Sequence, residues 1–352
     1  MFIFGRDEEL SFLELISYFK AEEIEFESLT REKNIVFVKL KGLNFDKLIN
    51  RLGGIVKIGL VFKNLNEFDF YDKEKIGISF YTENIDFEKD LKEVFKKNKI
   101  RYVLKRPKKE EVLMPSEVIK KDLIENGYEF LVYKEKTART INVYNPFLYQ
   151  ERDEKRPYYD ERIVSSIRLA KILINLCMLR NGLLLDPFCG HGTILQEAMI
   201  IGLDVKGIEF DKKTAEECGK NLNWVKKTYK LKSNFQIING DTRELSRYIK
   251  QVDGIVTEPY LGPFLKGRVS EREAKKIIEN LEILYFNFFR EARKVLKGNL
   301  VVIFPVFGNL RINPNVFRRN GFAEYSMDKD VKIPIKYEVK GGKLQREIYV
   351  LN

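Results

Sequence analysis

The segment Asp186-Pro187-Phe188-Cys189-Gly190-His191-Gly192-Thr193 constrains this chain most. It joins the apolar run Gly182–Asp186 to the helical pattern 194–202. Two glycines one residue apart let a backbone turn tightly and come close to a ligand. The same alternation continues: 204–210 reads as a strand, 213–227 as a helix, and 234–240, 252–258 and 299–304 as strands, the last preceded by a helix over 271–297. Such alternation predicts an α/β fold with a mostly parallel sheet and right-handed crossovers. The stretches 322–339 and 346–352 read as an antiparallel hairpin that closes the sheet.

Carboxylates mark the strand ends. Glu209 lies nineteen residues past Gly190, and Asp241 ends the third strand. An acidic residue at about that distance suits a ribose hydroxyl, and strand ends along one sheet edge form the crevice where doubly wound folds bind ligands. No third glycine stands at dinucleotide spacing. Asp186 sits where a pyrophosphate would approach, so a cationic ligand fits better, such as the amino and sulfonium groups of S-adenosylmethionine. The expected cofactor-binding set is Asp186, Phe188, Gly190, Gly192, Thr193, Glu209 and Asp241. The competing reading is a row of ordinary strand-end turns.

The fourth strand ends in Thr257-Glu258-Pro259-Tyr260-Leu261-Gly262-Pro263. A DPFCGxGT loop followed by an acidic-Pro-aromatic loop resembles the methyltransferases that modify exocyclic amines of nucleobases. Upstream, Lys155-Arg156-Pro157-Tyr158-Tyr159 and the SIRLAKILINL helix resemble the THUMP-containing tRNA guanosine N2-methyltransferases, specifically over 155–262 and loosely over 1–145. The resemblance implies a Rossmann-like S-adenosylmethionine-dependent methyltransferase domain preceded by an α+β ferredoxin-like and THUMP region. It implies tRNA as partner and N2-methylguanosine or N2,N2-dimethylguanosine as product, at position 10. It also implies that Glu258, Pro259 and Tyr260 hold the target amine and base. The family's usual loop is Asp/Asn-Pro-Pro-Tyr/Phe, so Glu258 and Tyr260 are departures. Alternatives are amine methylation of ribosomal RNA guanine or of adenine, or an RNA-binding protein without turnover.

Charge points the same way. The chain carries 63 Lys+Arg against 52 Asp+Glu, a net +11. Residues 92–109 alone hold nine basic residues and one acidic. Lys96, Lys97, Arg101, Lys105 and Arg106 in this block, with Lys266 and Arg268 beyond the catalytic loop, are the expected RNA-binding residues. Neutralised phosphates release counterions, so such a patch grips by salt-dependent, sequence-blind attraction. A solvated helix face is the bland alternative.

His191 is the sole histidine and lies inside the glycine loop, where backbone position explains it; no metal is expected. Cys189 reads as a small loop residue and Trp224 as packing. No cysteine follows Pro259, which argues against cytosine C5 methylation through a thiolate. Three cysteines without a CxxC pair fit a reducing cytoplasm. The opening turns acidic by Asp7, unlike a signal peptide, and no apolar run is long enough for a membrane. The expected division is a ferredoxin-like module over 1–62, a THUMP-like domain over 63–145, a polar linker over 146–165 and the methyltransferase domain over 166–352. The first 145 residues read as small α+β modules rather than one large sheet. An accessory protein subunit is left open.

Overall fold

A computed structural model describes residues 1–41, 43–82, 85–108, 111–159, 166–263, 270–338 and 344–352. The chain divides into two compact units. One comprises Met1–Glu8, Glu25–Arg51 and Ile55–Arg152; the other comprises Glu9–Ile24, Leu52–Gly54 and Asp153–Asn352.

In the first unit, β1 (Phe2–Phe4) leads into α1 (Glu8–Ala21), nearly all of which belongs to the second unit. There follow β2 (Phe26–Glu32), β3 (Ile35–Leu40), α2 (Phe45–Arg51) and β4 (Ile55–Phe62). Then come β5 (Glu74–Phe80), α3 (Ile85–Lys97), β6 (Tyr102–Lys105), α4 (Pro115–Lys120), β7 (Tyr128–Tyr133) and β8 (Lys136–Val143). The expectation of separate small modules is corrected here. All eight strands share one sheet, in the order β2-β3-β1-β4-β8-β7-β5-β6. The join is β8, which pairs with β7 on one edge and with β4 on the other, Lys57 opposite Val143. Pairing between segments far apart in sequence leaves no periodic trace along either one.

Strand β7 is buried on both faces. Phe130 and Val132 pack with Phe87, Leu91 and Phe95, one face of α3. Leu131 and Tyr133 point the other way, to Met1, Ile3 and Ile35. This is the two-residue period of a strand meeting the turn-by-turn spacing of a helix. Lys57 is buried here in an ion pair with Glu129, whose carboxylate also accepts from Ser79 Oγ at 2.6 Å and Thr140 Oγ1 at 2.7 Å. A buried charge needs such full pairing to be tolerated.

The expected polar linker is helical over its first ten residues. Helix α5 (Pro146–Lys155) starts with proline, whose fixed φ suits the first helical position, and Asn145 Oδ1 accepts from Phe147 N at 3.0 Å. Residues 160–165 lie outside the described residues. Helix α6 (Ile167–Leu176) is capped by Ser166, which accepts from Leu169 N.

The second unit continues with β9 (Leu183–Asp186), α7 (Thr193–Ile200), β10 (Asp204–Glu209), α8 (Lys212–Thr228), β11 (Phe235–Asn239), α9 (Leu245–Tyr248) and β12 (Gly254–Thr257). It ends with α10 (Glu271–Val295), β13 (Leu300–Phe307), β14 (Leu310–Arg311), α11 (Asn315–Arg318), β15 (Ile335–Glu338) and β16 (Gln345–Leu351). Its sheet runs β11-β10-β9-β12-β13-β16-β15. The first five strands are parallel, and β16 runs antiparallel between β13 and β15, the expected hairpin. The order reverses at β9, between β10 and β12. That switch point opens a crevice at the strands' C-terminal ends.

Helix α1 is buried on more than one face. Phe12, Leu15 and Tyr18 are buried alongside Leu10, Leu13 and Phe19. Glu14 is buried as well, accepting from Gly53 N and Gly54 N at 2.7 Å each and from Asn175 Nδ2 at 2.8 Å. Burial raises its carboxyl pKa against these three donors.

Candidate active site

Four adjacent strand ends, those of β9, β10, β11 and β12, carry the predicted residues. Asp186, at the end of β9, is only 2% exposed. Its Oδ1 accepts from Thr257 Oγ1 at 2.7 Å, at the end of β12, and from Phe188 N at 3.1 Å. Burial pushes its pKa up to about 7; the negative fields of Glu209 and Glu258 add to the rise, and the two hydrogen bonds oppose it. Among the described residues no cation pairs with Asp186 within salt-bridge distance.

The glycine loop needs its glycines. Gly190 and Gly192 both lie in the left-handed region, at φ 50° and 86°. A Cβ on Gly192 would also stand 2.7 Å from Cys218 Sγ. Glu209 closes the loop from the neighbouring strand: Oε2 accepts from Gly190 N and Oε1 from Asp211 N, each at 3.0 Å. So Glu209 is a loop clasp as well as a ribose candidate. Phe188 packs edge-on against Phe288, with ring centroids 5.5 Å apart. His191 Nε2 lies 3.1 Å from Glu217 Oε2, and its carbonyl accepts from Asn221 Nδ2.

Asp241 is engaged. It caps the turn over 242–244 and pairs with Arg243, whose guanidinium holds its carboxyl below the ordinary range. Beside it, Phe210 is 74% exposed, and Asn239 Nδ2 donates to the carbonyls of Glu209 and Phe210. An aromatic left in water at a strand end is a surface on which a flat ring can stack. Sequence reading missed Phe210, although its place directly after Glu209 was visible.

In the loop that follows β12, Pro259 is buried and Tyr260 is 54% exposed. The Tyr260 carbonyl accepts from Tyr285 OH at 2.6 Å, and the Tyr285 ring stacks on Phe304. The loop backbone is thus fixed while the ring stays open. Glu258 Oε1 accepts from Arg346 Nε at 2.9 Å. Arg346 was not predicted. Nor was Arg156, buried, which donates from Nη1 to Thr193 Oγ1 at 3.0 Å and lies 3.4 Å from Asp153.

The basic block is split in its availability. Lys96 and Lys97 end α3 and are exposed, and Lys105 on β6 is half-buried. None of the three has an ion pair among the described residues. Arg101 is paired with Asp72, and Arg106 with Glu88. Lys266 and Arg268 lie outside the described residues. Among the described residues no group of three or more His, Cys, Asp or Glu could hold a metal, and no helix is long and apolar enough to cross a membrane.

A sheet in this order, a glycine loop at its switch point and an acidic-Pro-aromatic loop on the adjoining strand define a Rossmann-like methyltransferase. A family model described as an RMKL-like methyltransferase domain matches residues 164–312, and another, described as a DNA methylase, matches residues 7–220, more than half of the chain. A tRNA (guanine(10)-N2)-dimethyltransferase of Methanothermobacter thermautotrophicus is 35% identical over 127 residues, 36% of this chain and 36% of that protein. A Methanothermococcus thermolithotrophicus protein named "Probable tRNA (guanine(10)-N2)-dimethyltransferase" is 36% identical over 113 residues, 30% of this chain and 67% of that protein. The chain belongs to the methylase family of the longer match and, through its kinship with the methanothermococcal protein, to that of the tRNA (guanine(10)-N2)-dimethyltransferases. It spans 36% and 41% of the length of the first two such relatives. The crystal structure of TrmN from Thermus thermophilus shares the fold over 100% of this chain and 98% of its own, with a TM-score of 0.54 at 19% identity.

Proposed function

We propose that this chain transfers methyl groups from S-adenosylmethionine to the exocyclic N2 of guanosine at position 10 of tRNA, forming N2-methylguanosine and N2,N2-dimethylguanosine. The observation that carries this is Asp186. It is a buried carboxylate with no cationic partner among the described residues, bonded to the strand that delivers the Glu258-Pro259-Tyr260 loop. A buried carboxylate calls for a positive ligand. Gly190 and Gly192 give the loop the left-handed turns that a tight ligand-binding loop requires. The named activity of the relatives supports the target.

In this reading Asp186, Phe188, Gly190, Gly192 and Thr193 hold the methionine end, Glu209 the ribose and Asp241 the adenine edge. The cofactor, when bound, supplies an electrophilic methyl group. Glu258 and the Pro259 carbonyl accept the N–H bonds of the target amine and aim its lone pair. Tyr260 stacks on the base, which must leave its helix to reach the site. An amine needs alignment more than deprotonation, so positioning carries the rate.

The first unit would grip the tRNA. The chain order β1-α1-β2-β3-α2-β4 supports a ferredoxin-like module over 1–62, with a THUMP-like domain over 63–145. Lys96, Lys97 and Lys105 would meet phosphates, and the cytoplasm is the setting for such a substrate. The test is methyl transfer from labelled S-adenosylmethionine to unmodified tRNA transcripts, with nucleoside analysis. N2-methylguanosine that vanishes when guanosine 10 is replaced supports the reading. Transfer only to ribosomal RNA or to adenine in DNA, or cofactor binding without any transfer, overturns it.

A further inference from the structure

The departure from an aspartate in the catalytic loop has a structural counterpart. Glu258 adds one methylene and one rotatable bond, so its carboxylate has a wider reach and less definition. The site holds that carboxylate with a residue 88 positions further on: Arg346 Nε donates to Glu258 Oε1 at 2.9 Å. The two side chains are only 21% and 16% exposed, so the pair is mostly withdrawn from water. Arg346 sits near the start of β16, where it faces Pro305 of β13 on one side and Tyr337 of β15 on the other. Strand β13 separates β16 from β12, so the guanidinium reaches the catalytic loop across a full strand.

Charge gives a second reason for its presence. Glu258, Glu209 and Asp186 crowd one sheet edge, and the first two make ionisation of the third harder. A guanidinium on Glu258 offsets that crowding. Arginine also fixes a carboxylate's direction through its planar fork, which an ammonium cannot do.

We propose that Arg346 is a positioning residue, which pins the Glu258 carboxylate where the target amine must meet it and so makes the longer acid serviceable. This rests on the amine-methylating reading above. The test compares Arg346→Gln, Arg346→Lys, Glu258→Gln and the double variant Glu258→Gln/Arg346→Gln in steady-state methylation of tRNA transcripts. Arg346→Gln should lower kcat by about a hundredfold, the cost of a 1 Å misplacement. The KM for tRNA and the dissociation constant for S-adenosylmethionine should each move by less than about threefold if Arg346 acts only through Glu258. Arg346→Lys should recover part of the loss. The double variant should be no slower than Glu258→Gln alone, because Arg346 has nothing left to position. A folding defect would instead act on top of Glu258→Gln. Additive losses, or an unchanged kcat in an active wild-type background, would overturn the role of Arg346 alone. A wild-type chain that methylates no amine would overturn the proposed function and this role together.

Discussion

The Thr257 hydroxyl donates to Asp186 Oδ1 at 2.7 Å, tying the last residue of β12 to the last residue of β9. In the proposed reading, cofactor side and target side of the site are thus one hydrogen bond apart. Thr257→Val keeps the shape and removes the donor. A hydrogen bond to a charged group contributes about 1.5–3 kcal/mol. Affinity for S-adenosylmethionine at pH 8 should therefore fall by about tenfold or more, as measured by titration calorimetry. Unchanged affinity would detach Thr257 from the cofactor site.

Asp186 makes binding and stability pH-dependent in opposite directions. Its pKa rises from 3.8 to about 7 on folding. Between those values the folded chain keeps a proton that the unfolded chain releases. Stability from this group therefore falls as pH climbs through that window and is level above it. A cationic ligand needs the ionised form, so its affinity should fall about tenfold per pH unit below 7. Asp186→Asn should be more stable than wild type at pH 8, on the order of a few kcal/mol, and equal to it near pH 4. It should no longer bind cofactor. Melting curves across pH, paired with calorimetry, check both statements.

Gly192→Ala should lose cofactor binding and cost about 1–3 kcal/mol of stability, from a left-handed backbone and a contact with Cys218. Gly202 separates the two causes, because it also has positive φ but meets nothing within 4 Å. Gly202→Ala should show the backbone cost alone, and adding Cys218→Ala to Gly192→Ala should return only the contact part. Equal losses for the two glycine variants in denaturant melts would remove the Cys218 contact from the account.

The split in the basic block predicts unequal contributions to RNA binding. Neutralising Lys96, Lys97 and Lys105 together should weaken tRNA binding and reduce the salt slope by about three, roughly one per phosphate contact. Arg101→Gln with Arg106→Gln should change the slope less, since Asp72 and Glu88 already hold those cations. A larger effect from the two arginines, in filter-binding across a salt series, would reverse the assignment.

Tyr260→Ala should lower kcat/KM for tRNA by about 1–3 kcal/mol, the usual worth of a base stacked on an aromatic ring. Tyr260→Phe should retain most of the activity, and neither change should alter cofactor affinity. A loss in the phenylalanine variant equal to that in alanine would assign the hydroxyl, not the ring, to the reaction.

The grouping of Asp186, the glycine loop and Glu209 was legible because it is local. Asp186, the two glycines and Glu209 sit in consecutive strand-end turns, and a parallel sheet brings such turns to one edge. Arg346 and Arg156 were not legible, because each reaches its partner through tertiary structure: Arg346 from two strands away, Arg156 from the segment before α6. Helix α5 was read as linker because its ten residues are mostly polar, with little apolar periodicity to detect. The single sheet of the first unit hid for a related reason, since its joining pair, β4 with β8, brings residues 55–62 against 136–143.

Glu14 carries a consequence for modularity. Its carboxylate ties α1 to Gly53, Gly54 and Asn175, and the second unit is assembled from three separate stretches of chain. The first unit is threaded through it in sequence rather than appended to it. Cutting the gene at residue 153 would therefore strand Leu13, Leu15 and Phe19 on the wrong fragment and leave an apolar scar on the other. Such a chain cannot trade its first unit by end-to-end gene fusion; exchange has to proceed by insertion, with every crossing preserved.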